Sequence, residues 1–427
     1  MISRPSLSPA LARSILDRMG ATGQPPERGA LAVNVGTDTL LEALRDEYFR
    51  PIRESRRNST FKLIQATFGG GKTQFLHALR ELAWGEGFAT ALVGLSPKEC
   101  PFDQPVRIYQ EVARRMELPV VHPEQEPSRG FDALLDHVAE ERVDENGADA
   151  FREWLATEFV RWPIESRSFA RAVRAYLEAA IESDVDKCEV LGDYLLGERV
   201  STAELEDYRL RETLEEQNAF LWLRSLVQVA SALNLPGVVL LFDEMDRNMS
   251  LSVGRRRAIG DNLRQMIDYC GQAQLPGVVW CYAVPPEFMT TIVPEYPALA
   301  QRLKGAGRFG GVTPLQPIID LEQLPLAATE MLRAIGMRLL ELAGVAFPEA
   351  SFDREVQAEN VVLVAHELGA RQLESGTRRQ FVKAIITLFD AQRRSGQKVL
   401  TASEVRTAVG SAERFDVGSP MPDEQDF

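Results

Sequence analysis

The sequence has few of the residues that build disulfide frameworks and metal sites. Its 427 residues include only four cysteines and four histidines, which are widely separated, and no CxxC pair occurs. This pattern argues against a disulfide framework or a structural zinc site. The chain also lacks an apolar run of membrane-spanning length and an apolar N-terminal segment typical of signal peptides. We therefore expect a cytoplasmic protein that does not bind membranes.

An excess of basic charge is also missing. The formal net charge is −14, and charged residues make up 26% of the chain. A field of this sign disfavours nonspecific binding to the phosphate backbone of nucleic acid. Contact with DNA would require a partner protein or a local basic patch. The best candidate for such a patch is the run Arg255, Arg256 and Arg257, and its alternative role is a solvated helix start.

A glycine-rich stretch follows the first strand-like run. Residues 66–73 read Ala-Thr-Phe-Gly-Gly-Gly-Lys-Thr, which matches the phosphate-loop pattern GxxxxGK[ST] except that Ala66 replaces the first glycine. Glycines let backbone N–H groups surround phosphate oxygens, and a helix beginning at about Lys72 would direct its positive end at the anion. Lys72 would then reach the β- and γ-phosphates, and the Thr73 hydroxyl would bind Mg²⁺. The alternative is a glycine-rich turn with a surface lysine.

A second apolar run, PGVVLLFDE at 236–244, ends in two acids. Buried β-formers that end in two carboxylates are costly unless the carboxylates face a site. In phosphate-loop ATPases the first acid orients Mg²⁺ and the second polarises the attacking water, so Asp243 and Glu244 are assigned these roles. The predicted contacts of ATP and Mg²⁺ are Phe68, Gly69, Gly70, Gly71, Lys72, Thr73, Gln74 and Asp243.

Strand-like and helix-like segments alternate along the first three quarters of the chain. This order predicts a parallel sheet with helices on both faces, and together with the glycine-rich loop and the acidic strand it indicates an α/β P-loop NTPase fold. Strands are expected at 62–68, 88–96, 236–244 and 276–284, with a weaker one at 307–315. The predicted organisation is an N-terminal helical segment at 1–60, an ATPase core at 61–315 with a helical insertion at about 107–215, a helical lid at 316–410 and a disordered acidic tail at 411–427.

Several longer stretches resemble the AAA+ ATPases, and within them the origin-recognition branch. The sequences FGGGKTQFLHALRELAWGEGF, NAFLWLRSLVQVASALNLPGVVLLFDEMD and YPALAQRL are most similar to ATP-binding proteins of the BREX phage-exclusion systems, of the BrxD type. The likeness extends over most of residues 10–395. It implies an oligomeric or switch-like ATPase in antiphage defence that remodels or loads a partner, such as a helicase or DNA.

The resemblance also implies two arginine roles. An arginine finger, supplied to the γ-phosphate of a neighbouring subunit, would be Arg302 or Arg308, since a planar and permanently charged group suits the task. A second arginine at the start of a lid helix would approach the nucleotide of its own subunit. Arg379 fits that register best and Arg378 is the alternative, although a surface role remains open for all four.

One departure from the family pattern affects the expected rate of hydrolysis. The end of the strand at 276–284 usually carries a polar residue, whereas Ala283 and Val284 are apolar and Tyr282 is the nearest polar group. A slow nucleotide-dependent switch that assembles a defence or signalling complex is therefore the alternative to a motor or loader. A small-molecule phosphotransferase is a third hypothesis, but a glutamate at position 244 favours an ATPase over such an enzyme.

Overall fold

The protein is built around one six-stranded sheet, as the computed structural model shows. The strands are β1 Thr60–Gln65, β2 Ala89–Gly94, β3 Met116–Glu117, β4 Val238–Asp243, β5 Val278–Val284 and β6 Ile318–Asp320. Their order across the sheet is β3-β2-β4-β5-β1-β6, and all neighbours pair in parallel except the antiparallel pair β2 and β3. The structure describes residues 4–55, 58–245, 251–272, 274–304, 313–324, 326–349, 352–369 and 376–416.

The central strands are buried on both faces, which explains their continuous apolar sequences. Every residue of β4 and β5 is buried. One face carries an aromatic cluster in which the rings of Phe242 and Trp280 lie 4.7 Å apart between centroids. Because parallel strands end at the same edge, the loops after β1 and β4 lie on one side of the sheet, where such folds bind ligands. This arrangement confirms the predicted P-loop NTPase fold.

Helices cover both faces of the sheet and form the C-terminal part of the chain. They are α1 Pro9–Thr22, α2 Asp38–Leu44, α3 Arg50–Ser55, α4 Lys72–Gly85, α5 Pro105–Arg114, α6 Phe131–Asn146, α7 Ala148–Thr157, α8 Arg167–Glu182, α9 Val185–Leu196, α10 Thr202–Asp207, α11 Ala219–Ala232, α12 Val253–Gly271, α13 Glu287–Thr291, α14 Pro297–Leu303, α15 Ala328–Ala346, α16 Arg354–Gly369, α17 Thr377–Ser395 and α18 Ala402–Asp416. No helix in these described parts of the chain is long and apolar enough to span a membrane.

The region predicted as an insertion contains helices α5 to α10 and the edge strand β3. Its apolar side chains belong to the same buried cluster as one face of the sheet. Trp222 on α11 joins the two parts, because its ring lies 5.5 Å from that of Tyr109 on α5 and 5.5 Å from that of Phe169 on α8. The insertion therefore packs on the sheet rather than forming a core of its own.

The N-terminal segment belongs to two different parts of the molecule. Helix α1 buries Ile15, Leu16 and Met19 in one apolar cluster with α15 to α18. Most buried apolar residues between Ala30 and Ile52 instead pack with α4 on the opposite face of the sheet, whereas Val33 belongs to the cluster of α1. The segment therefore does not simply lead into the sheet, since its first helix packs with the C-terminal helices that the sequence predicted as a lid.

The last core strand lies later than the sequence suggested. The residues at 313–315 are not in a strand, and 305–312 fall outside the described residues. Strand β6 is instead Ile318–Asp320, where a helical lid was expected, and Ile319 pairs with Ile64 of β1. Two isoleucines suffice for this short edge strand, which explains why no periodicity signalled it. At the C-terminus α18 extends to Asp416, so the first six residues of the predicted disordered tail are helical.

Candidate nucleotide-binding site

The glycine-rich loop forms a tight turn between β1 and α4. Gly69 and Gly71 have φ angles of 75° and 98°, a region that residues with side chains rarely adopt. The Gly70 N–H donates to the Thr67 carbonyl at 3.0 Å and closes the turn. Lys72 crosses the loop, and its Nζ donates to the carbonyls of Ala66 at 2.9 Å and Thr67 at 3.2 Å. The ammonium group is thus fixed above the turn, where it can face phosphate oxygens.

Ala66 is compatible with this geometry. Its φ is not positive, so the position does not require a glycine. Its N–H continues the ladder of β1 by donating to the Val284 carbonyl at 3.3 Å. The side chain is fully buried, and a Cβ placed on Gly70 would lie 2.8 Å from the Ala66 methyl group. The substitution therefore leaves the turn intact and makes a side chain at Gly70 harder to accommodate.

The two acids lie at the end of β4. Asp243 is only 7% exposed, and its Oδ1 accepts a hydrogen bond from the Glu244 N–H at 2.8 Å. Glu244 has a φ of 64°, which is strained for a residue with a side chain. Its carboxylate reaches across the end of β2, where Oε2 would lie 3.3 Å from a Cβ on Gly94. Such strain is often retained where a side chain must point into a site.

A cavity of about 570 Å³ connects the loop, the acids and the lid. Its size suits a nucleotide. The predicted contacts Phe68 to Gln74 all line it, together with Asp243 and Glu244. The lid contributes Met331, Ile335, Arg378, Arg379 and Val382, and the N-terminal segment contributes residues between Arg18 and Thr37. The cavity therefore combines the polar groups of the loop with both polar and apolar side chains from the N-terminal segment and the lid.

Both candidate lid arginines contact the phosphate loop, but in different ways. Arg378 Nη1 donates to the Gly70 carbonyl, and Nη1 would lie 3.3 Å from a Cβ on Gly71. Burial lowers the pKa of Arg378, and the neighbouring Glu322 carboxylate opposes this shift. The Arg379 guanidinium instead lies over the ring of Phe68, 4.9 Å from its centroid. Arg378, the second choice from the sequence, is thus the one that contacts the loop backbone.

These features belong to a known family. Residues 7–401 match the family described as BREX system ATP-binding protein BrxC/D. The chain belongs to this family. Comparison with curated proteins and with solved structures yields no match. The family assignment supports an ATP-binding role in BREX phage defence and agrees with the cavity above, since the matched range includes every residue that lines it.

The predicted arginine finger of this BREX ATP-binding protein lies away from the cavity. Arg302 on α14 makes a bidentate ion pair with Asp268 on α12, with Nε at 2.5 Å and Nη2 at 3.0 Å from the two carboxylate oxygens. For Arg302 to contact the γ-phosphate bound by a neighbouring subunit, this ion pair would have to break or rearrange. Arg308, the other candidate, lies outside the described residues.

The three arginines of the candidate DNA patch are partly engaged within the chain. Arg255 pairs with both carboxylate oxygens of Asp103, at 2.7 and 2.9 Å. Arg256 donates to the Leu251 carbonyl at 2.8 Å and approaches Glu295. Arg257 has a side chain that is 66% exposed and lies 3.8 Å from Glu295. Phosphate groups would thus have to compete with carboxylates for the first two.

No local pattern in the sequence indicated that the N-terminal segment forms part of the site. Gln74 Nε2 donates to the Ala30 carbonyl at 2.9 Å, and the Glu81 carboxylate accepts from the N–H groups of Ala30 and Leu31, each at 2.9 Å. These bonds tie the segment to α4. A pairing between residues 44 or more positions apart leaves no local pattern that could have revealed it.

His77 on α4 also lines the cavity and is neutral. Burial lowers its pKa to about 4, and the nearby Arg80 guanidinium adds to the shift. Its Nδ1 lies 2.7 Å from the Pro26 carbonyl, which accepts a hydrogen bond from the ring. The side chain thus connects α4 to the N-terminal segment, in keeping with the packing role that the sequence favoured.

Proposed function

We propose that this protein hydrolyses ATP and uses the reaction to remodel or load a partner in phage defence. The observation that carries the proposal is the position of Glu244 at the cavity, beside Asp243 and opposite the phosphate loop. A carboxylate held there by a strained backbone is suited to polarise a water molecule. The BREX family assignment supports ATP as the nucleotide.

The residues around the cavity divide the work of binding and chemistry. The N–H groups of the loop and Lys72 would hold the phosphates, and Arg378 or Arg379 would approach them from the lid. Thr73 and Asp243 carry the hydroxyl and carboxylate oxygens that suit Mg²⁺, which would neutralise charge on the phosphates when bound. Glu244 would accept the proton of the attacking water.

The partner is expected to be a helicase, DNA or another defence component, with the chain acting as a homo-oligomer in the cytoplasm. The helical insertion at 107–215 is an unfavourable surface for DNA, because it holds 26 acidic and 14 basic residues. If DNA is bound directly, Arg257 is the most exposed of the three patch arginines. An arginine finger from Arg302 or Arg308 would make hydrolysis depend on assembly.

A steady-state ATPase assay tests the proposal. The unmodified protein should release phosphate, Lys72→Ala should lose nucleotide binding, and Glu244→Gln should bind ATP while hydrolysis falls at least about 100-fold, as expected for a lost general base. An unchanged rate in the Glu244→Gln protein would refute the assigned role. Native mass spectrometry with and without ATP then tests assembly, and a monomer under all conditions would rule out a finger in trans.

A slow switch is the second candidate, and the end of β5 favours it. Tyr282 is fully buried, and its hydroxyl donates to the Met245 sulfur at 2.9 Å. Ala283 and Val284, which follow it, are apolar and buried. No polar side chain of these three residues is therefore available to orient the attacking water. A turnover below about one per minute, far under the roughly 1–1000 per second of typical enzymes, that is unaffected by DNA or protein partners would favour the switch over the motor.

A further inference from the structure

Glu322 brings a carboxylate to the outer side of the phosphate loop. It lies in the 3₁₀ turn Leu321–Gln323 that directly follows β6, and the Asp320 side chain fixes its backbone by accepting the Glu322 N–H at 3.0 Å. Its Oε1 accepts hydrogen bonds from the Thr67 N–H at 3.2 Å and from the Thr67 hydroxyl at 2.8 Å. A side chain from the segment between core and lid therefore holds the first half of the loop.

The same carboxylate faces the lid arginine that contacts the loop. Arg378 Nη2 lies 3.8 Å from Glu322 Oε2, while its Nη1 donates to the Gly70 carbonyl. The Arg378 side chain is 19% exposed and the Glu322 side chain 34% exposed, so water screens the pair only in part. Arg378, which also lines the cavity, is thus held at the loop by a carboxylate and a carbonyl.

We infer that Glu322 is a positioning residue that competes with the terminal phosphate of ATP for Arg378, and thereby sets how strongly the site prefers ATP over ADP. This inference rests on the proposed function, in which a lid arginine approaches the nucleotide. A guanidinium has a fixed set of donors and one charge, so a new anion on the inner side of the loop must draw it away from Glu322. ADP lacks the terminal phosphate, and its binding leaves the Arg378–Glu322 pair largely undisturbed.

The competition weakens the binding of ATP and leaves the binding of ADP unchanged. Removal of the Glu322 charge should therefore strengthen ATP binding selectively, by about two- to fivefold, as expected for a partly exposed ion pair. Glu322→Gln is the suitable change, because the amide has the same shape and its oxygen can still accept from the Thr67 N–H. A residue that served only to hold the loop would instead change the affinities for both nucleotides by the same factor.

The experiment is isothermal titration calorimetry of the full chain with Mg²⁺ and either ADP or adenylyl imidodiphosphate. We expect Glu322→Gln to raise the ratio of the ADP to the triphosphate dissociation constant two- to fivefold. Thr67→Val is the matched control, since it removes the hydroxyl bond to Glu322 but keeps the charge, and it should leave the ratio unchanged. In an Arg378→Gln background the Glu322→Gln change should no longer affect the ratio.

The outcomes separate this inference from the proposed function. If Glu322→Gln alters both affinities equally, or still changes the ratio without Arg378, the competition is refuted while ATP binding stands. If Arg378→Gln leaves the triphosphate affinity unchanged, then the lid arginine does not act as proposed and the inference fails with it. If the unmodified chain binds neither nucleotide, the proposed function itself is wrong.

Discussion

Gly69 is a residue of the phosphate loop at which a single added methyl group should affect both the loop and the neighbouring lid helix. Its φ of 75° costs about 1–2 kcal/mol for alanine relative to glycine. The added Cβ would also lie 3.1 Å from the nitrogen and 3.2 Å from the Cα of Gly376, which directly precedes α17. Backbone atoms at the start of a packed helix cannot move alone, so either the loop or the lid must shift.

The Gly69→Ala change strains the loop backbone, and the nucleotide-free protein can respond in two ways: the loop either keeps its shape and remains strained, or relaxes to another shape. If the loop keeps its shape, the free energy of unfolding should fall by about 1–2 kcal/mol. If the free loop relaxes, stability is preserved but binding must restore the strained turn, and ATP affinity falls about 5- to 30-fold. The two losses together should amount to at least about 1 kcal/mol.

Urea unfolding measures the loss of stability, and calorimetric titration with the nonhydrolysable ATP analogue measures the loss of nucleotide affinity. Gly344→Ala is the control, because a Cβ there meets no atom within 4 Å in helix α15. That change should stabilise the protein by about 0.5–1 kcal/mol and leave nucleotide affinity unchanged. The reasoning is wrong if Gly69→Ala alters neither stability nor affinity.

Three further predictions concern charge and packing near the site. His77 has its pKa lowered to about 4 by burial, so protonation favours the unfolded chain as the pH falls from 6.5 to 4. The unfolding free energy should therefore decrease over this pH range by up to about 3 kcal/mol. His77→Gln should abolish this decrease, so that the curve of unfolding free energy against pH becomes flatter. Phe68→Leu removes the cation–π contact with Arg379. Nucleotide binding measured by calorimetry should weaken at most about fivefold. Adding Arg379→Leu to this variant should cause no further loss of affinity. Asp268→Asn removes the charge that pairs with Arg302, so the unfolding free energy should fall by at most about 1 kcal/mol. If Arg302 is the arginine finger of a neighbouring subunit, the ATPase activity of the assembled protein should also rise.

The parts of the site that the sequence predicted have local signatures. A glycine-rich loop between a strand and a helix and a buried strand ending in two acids can each be recognised within ten residues. Both strands pair in parallel with β5, so their carboxyl ends lie at the same edge of the sheet. Strand β6 has only three residues, too few for an alternating pattern, and it was therefore missed.

The choice between Arg378 and Arg379 shows a different limit of sequence reasoning. Adjacent residues at the start of a helix point in directions about 100° apart, so only the docking of α17 decides which one faces the loop. That docking is set by buried side chains further along the helix, such as Phe381 and Ile385, which pack against the lid cluster. The sequence identified the pair of arginines, but their separate contacts depend on the tertiary structure.

The contacts between loop and lid have a consequence for regulation. Four successive loop residues meet the lid or the segment leading to it: Thr67 meets Glu322, Phe68 meets Arg379, Gly69 meets Gly376 and Gly70 meets Arg378. The lid cannot shift without changing the surroundings of the loop, and a change in the loop must in turn be felt by the lid. Coupling of this kind is reciprocal, so a partner that moves the lid must alter nucleotide affinity by the same factor by which the nucleotide alters affinity for the partner. Since α1 packs on α15 and α17, a partner bound to the N-terminal helix would act on the nucleotide through the same contacts.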